Sequence, residues 1–150
     1  MLEDDRYTVG VFEDVGAAER VLAALAAKEF PSDSLSVVAA DAPAVSALLE
    51  KTFGDDGATL DVRAVGVLRL RGSIVDALQG GEGALAATGI AATMKRVGFQ
   101  AHDGYIYETL TMRGGVLVAI RSEPRAADAL ALLHAYGGGN AAIGAWTGRV

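Results

Sequence analysis

A chain of 150 residues with 51% hydrophobic and 21% charged side chains has the length of one domain and the composition of a folded one. Its 13 basic and 19 acidic groups leave a net charge of −6, which argues against a nucleic-acid partner, because such binders present a basic face. Zero cysteines exclude disulfides, a thiol nucleophile and a thiolate zinc site; two histidines, His102 and His134, are too few for a histidine-rich metal centre, so neither metal nor cofactor is expected.

The acidic start, Met1 to Arg6, has no apolar stretch of the signal-peptide kind. No run of 18 apolar residues exists, so no membrane insertion and a cytoplasmic location are expected. Tyr7–Phe12 is rich in β-branched and aromatic residues and reads as a strand. Glu13 and Asp14 follow as helix-start residues, and Val15, Ala18, Val21, Leu22 and Leu25 recur at helical spacing, predicting a helix over about 14–29. A Pro-Ser-Asp turn leads to a second strand, Leu35–Ala40. Asp41-Ala42-Pro43 reads as an acidic cap with proline in the first turn, opening a helix that Gly54 stops after Phe53. Apolar residues then alternate from Leu60 to Leu70, predicting a third extended segment with Arg63, Arg69 and Arg71 on its other face. The small-residue stretch 72–98 predicts two helices, about 74–78 and 83–96, around a glycine hinge, and a further helix covers about 102–113. Val116–Ile120 is the clearest strand and is apolar at every position, so both of its faces call for burial. Ser122-Glu123-Pro124 starts a last helix, which Gly137–Gly139 ends, and residues 140–149 hold a last strand.

The two ends resemble each other at an offset of 109 residues, which sets Val9 on Val118, Ala18 on Ala127 and Glu19 on Asp128. Two strand–helix–strand repeats, about 6–40 and 115–149, make an α+β, ferredoxin-like antiparallel sheet with both repeat helices on one face. Residues 41–114 become a helical, glycine- and alanine-rich insertion in a single domain.

Four segments carry a family likeness. They are the N-terminal strand–acid–helix, the small-residue helical middle, the Val97-Gly98-Phe99 turn before a helix with Tyr105, Tyr107 and Glu108, and Arg113-Gly114-Gly115-Val116-Leu117-Val118 leading into strand–helix–strand. Together they resemble the bacterial general stress proteins typified by YflT, over nearly the whole chain, with a departure at Gln100–Gly104, where that family has Pro or Leu and an acid-and-alanine helix start. The resemblance implies a stress-associated, cytoplasmic, non-catalytic protein and carries over no site residues.

Candidate sites stand beside simpler readings. Gly81, Gly83 and Ala86 fit G-x-G-x-x-A, a variant of the fingerprint that presents a helix N-terminus to a phosphate, or they are merely a hinge. Glu13, Asp14 and Glu19 suit a hard cation, or cap the helix. The three arginines are an anion patch or a solvated strand face. His102, Tyr105 and Tyr107 would line an enzyme cleft of the dimeric-barrel type, or belong to core and surface. Three functions follow: a non-catalytic protein acting through self-association or protein interaction, a small-ligand regulatory domain using the hinge, and the His/Tyr enzyme. The second sheet face is covered either by residues 41–114 within the chain or by a second copy; because the small side chains of 72–98 bury little area, a homodimer is expected through that face, the insertion helices or both, with Trp146 as an anchor.

Overall fold

The computed structural model describes residues 5–121 and 125–146. Strand β1 (Asp5–Phe12) leads into α1 (Val15–Ala27), and Asp14 caps that helix by accepting a 2.9 Å bond from the Ala17 N–H. After a 3₁₀ turn comes β2 (Leu35–Ala40), then α2 (Pro43–Phe53), which Gly54 ends in the left-handed conformation. Next are β3 (Ala58–Val62), β4 (Gly66–Arg71), α3 (Ser73–Gln79), α4 (Ala84–Thr88), α5 (Ile90–Arg96) and α6 (Ala101–Met112). Strand β5 (Val116–Arg121), α7 (Ala126–Ala135) and β6 (Gly139–Trp146) complete the order.

All pairings are antiparallel, in the order β3-β4-β2-β5-β1-β6. The run β2-β5-β1-β6, which reaches the sheet edge at β6, is the ferredoxin-like arrangement of two strand–helix–strand units. Strands β1 and β5 lie side by side in it, with Val9 opposite Ala119 and Gly10 opposite Val118. The hairpin β3–β4 extends the sheet beyond β2.

Alternation along β5 divides the core into two layers. Val116, Val118 and Ile120 pack with α1, α2 and α7, chiefly through Val21, Leu25, Leu49 and Leu133. Leu117 and Ala119 face the other way and pack with Ile74, Leu78, Leu85, Met94 and Tyr107 of α3 to α6. The insertion therefore covers the second face of the described sheet from within the same chain. This corrects the expectation of an open face available to a second copy. Small residues also cover the sheet better than their number suggests, because they are interleaved with large apolar ones that are fully buried. Where helices meet they allow close approach: a Cβ on Gly104 of α6 would lie 3.0 Å from the Ala91 carbonyl oxygen of α5.

Several local expectations are corrected. The alternating segment 60–70 is two strands, with a turn in which Ala64 takes a φ of +67°. The insertion is thus not purely helical. Helix 83–96 is broken at Gly89, whose φ is +93°. Asp41 does not cap α2; it accepts a 2.8 Å bond from Arg69 instead. The proposed cap at 122–124 lies outside the described residues. Among the described residues, no helix is long and apolar enough to cross a membrane.

Candidate functional site

Among the described residues, a concavity lies on the first face, between α1 and α2. Helical spacing puts Glu19, Leu22, Ala23 and Ala26 on one side of α1, and the C-terminal turn of α2 faces them with Lys51 and Thr52. Phe30 and Leu35, both buried, form the floor with Leu22, and Ser32 stands at one end. The volume is about 240 Å³. Its cause is local: Ala23 and Ala26 are too small to fill the gap between the helices, and Leu35, the one floor residue on a strand, is held by β2. Lys51 and Glu19 form an ion pair across the mouth, with the lysine side chain 71% exposed and the glutamate 43%. The Arg125 guanidinium stacks 3.9 Å from the Phe30 ring centre and donates a 3.0 Å bond to the Lys28 carbonyl. The cleft is thus an open groove with an apolar floor and with one cation and one anion at its rim.

Of the residues singled out from sequence, Glu19 lines this cleft; the others lie elsewhere and are not brought together. Gly81 sits in a 3₁₀ turn after α3, and Gly83 follows it at a φ of +69° ahead of the five-residue α4. A helix, not a strand, precedes this turn, and the Ala86 N–H already donates a 3.0 Å bond to the Gln79 side chain. The phosphate-binding geometry of the fingerprint is therefore not built. His102 and Tyr105 are exposed on α6, the tyrosine at 63%, whereas Tyr107 is fully buried. Two residues apart on a helix means about 200° of rotation, so the two tyrosines point to opposite sides and no His/Tyr cleft forms. The Tyr107 phenol donates a 3.4 Å bond to the Val9 carbonyl, and its ring meets Phe99 edge-on at 6.0 Å. Burial, reinforced by the nearby Asp103 charge, pushes its pKa well above the ordinary tyrosine value.

Asp14 is used as a cap and Glu19 pairs with Lys51, and among the described residues no group of three or more His, Asp or Glu could hold a metal ion. The arginine patch is neutralised within the chain. Arg69 reaches Asp41 and Asp56, and its bond to Asp41 makes it more basic. Arg71 pairs with Asp55 at 3.0 Å and stacks 4.7 Å from Phe53; the bond from Arg71 holds the Asp55 carboxyl below its usual pKa. Arg63 lies in the β3–β4 turn, apart from that face. The backbone of Trp146 is the last of β6, opposite Asp5, and its side chain lies outside the described residues.

Searches against family models, curated proteins and solved structures find no match to this chain.

Proposed function

We propose that the protein is a non-catalytic binding module whose ligand, or a partner's inserted side chain, occupies the α1–α2 cleft. The observation that carries this reading is the cleft itself, with an apolar floor of three buried side chains under an ion-paired mouth. Such a site binds by desolvating an apolar group, with a few polar groups setting orientation. The hydroxyls on its lining, Ser32 and Thr52, have no histidine beside them. That lining supports binding over nucleophilic chemistry.

The test is an amide-resonance titration with 3-methylbutan-1-ol and benzyl alcohol. Shifts concentrated on Leu22, Ala23, Ala26, Phe30, Leu35 and Thr52, and abolished when Ala26→Phe fills the gap, support the reading. No shift at these residues at millimolar probe overturns it. The stress association is proposed from the sequence resemblance; a protein level in the native host that does not rise on heat or salt stress contradicts it.

A further inference from the structure

We infer that the α1–α2 cleft takes a single free α-amino acid with an apolar side chain, an inference that rests on reading the cleft as a ligand site. Size gives the first constraint. A volume of about 240 Å³ holds about eight water volumes at ~30 Å³ each, which suits one amino acid. The lining gives the second: Leu22, Ala23, Ala26, Phe30 and Leu35 accept an aliphatic or aromatic side chain.

The mouth gives the third constraint and decides the class. Lys51 and Glu19 sit in contact there, one charge of each sign. A carboxylic acid would gain Lys51 but meet repulsion from Glu19, and an amine would face the converse. A zwitterion answers both, its carboxylate beside the lysine ammonium and its ammonium beside the glutamate. Opening the existing pair costs little, because ion pairs this exposed contribute almost nothing to stability. The same exposure keeps the added attraction modest, so the dissociation constant falls at about 0.1–10 mM.

The experiment is the same resonance titration on the full chain, with L-leucine, N-acetyl-L-leucine, L-leucinamide and 3-methylbutan-1-ol as probes, in the wild type and in E19Q and K51Q. Both replaced side chains are solvent-exposed, so the fold tolerates them. Expected is a preference of about tenfold for leucine over either singly charged derivative. Charge removal then reverses the order: E19Q weakens leucine about threefold and strengthens N-acetyl-leucine, and K51Q weakens leucine and strengthens leucinamide. If all four probes bind alike and neither variant changes their ranking, the amino-acid inference is wrong while the cleft stands as a ligand site. If none of them, the alcohol included, shifts the cleft resonances, both readings fall.

Discussion

Replacing Gly72 by alanine probes the junction that swings the chain from β4 onto the second face of the sheet. Gly72 has a φ of +116° and a ψ of 170°, a region that only glycine occupies comfortably. A Cβ built there would lie 2.2 Å from the Ser36 Oγ, 2.5 Å from the Ser36 Cα and 2.6 Å from the Leu35 carbonyl oxygen. Those atoms belong to the first two residues of β2, which are held against Ile120 and Ala119 of β5 and resist displacement. The Ser36 hydroxyl also accepts the Ile74 N–H at 3.2 Å, a buried bond at the start of α3 that the intruding methyl would break. Backbone strain costs about 1–3 kcal/mol. Overpacking adds roughly 1–3 kcal/mol, and an orphaned buried N–H another ~1 kcal/mol or more. Gly72→Ala should therefore lose about 3–7 kcal/mol, a large part of the ~5–15 kcal/mol that holds a domain together. Gly54→Ala is the control: its φ is +86°, but nothing lies within 4 Å of the added carbon, so strain of about 1–2 kcal/mol is the whole effect. Urea unfolding monitored by far-UV circular dichroism separates the two, with a midpoint lower by roughly 1 M or more for Gly72→Ala than for the control. Equal losses in the two variants, within about 0.5 kcal/mol, would refute the close approach of Gly72 to β2.

Tyr107 binds its proton more tightly folded than unfolded, so its contribution is complete below the ordinary tyrosine pKa of about 10 and is lost as the pH climbs above it. Stability against urea should fall more steeply above pH ~10 in the wild type than in Tyr107→Phe; parallel curves would contradict this. Glu108 accepts the Ala91 N–H at 3.0 Å in the first turn of α5, so Glu108→Ala should cost about 0.5–2 kcal/mol, read as a shift in thermal midpoint. EDTA should leave that midpoint unchanged, since Asp14 serves as a cap and Glu19 as a lysine partner; a drop of several degrees would disclose a carboxylate site.

Elements bounded by strong local chemistry were legible in the sequence. Strand β2 and the Gly54 stop of α2 fall at the residues expected, and the apolar β5 is central, as a strand with two apolar faces must be. The α+β class with an antiparallel sheet followed from element order. The β3–β4 turn was hidden because apolar alternation runs straight through it and Ala64, with no turn preference, takes the positive φ. Tertiary competition hid the fate of Asp41: Arg69 of β4, 28 residues away, outbids the α2 N-terminus. The cleft was not legible, since Glu19 and Lys51 meet only once α1 and α2 both dock on the first face. Its one sequence signal is the pair Ala23 and Ala26 on the flank of α1, where longer side chains would have closed the gap. By contrast, the split of Tyr105 from Tyr107 was open to helical arithmetic from the start.

Whether the insertion is an integral half of the core is tested most directly by native-state hydrogen exchange at increasing urea. The buried α6 positions Tyr107 and Thr111 and the β5 positions Leu117 and Ala119 belong to the second-face side of the molecule. If that layer closes the sheet, their amides exchange through one common opening, with the same free energy and the same urea dependence. Exchange of α6 through a low-energy opening while β5 stays protected would contradict it, and would mean that the second face is exposed in a partly open form.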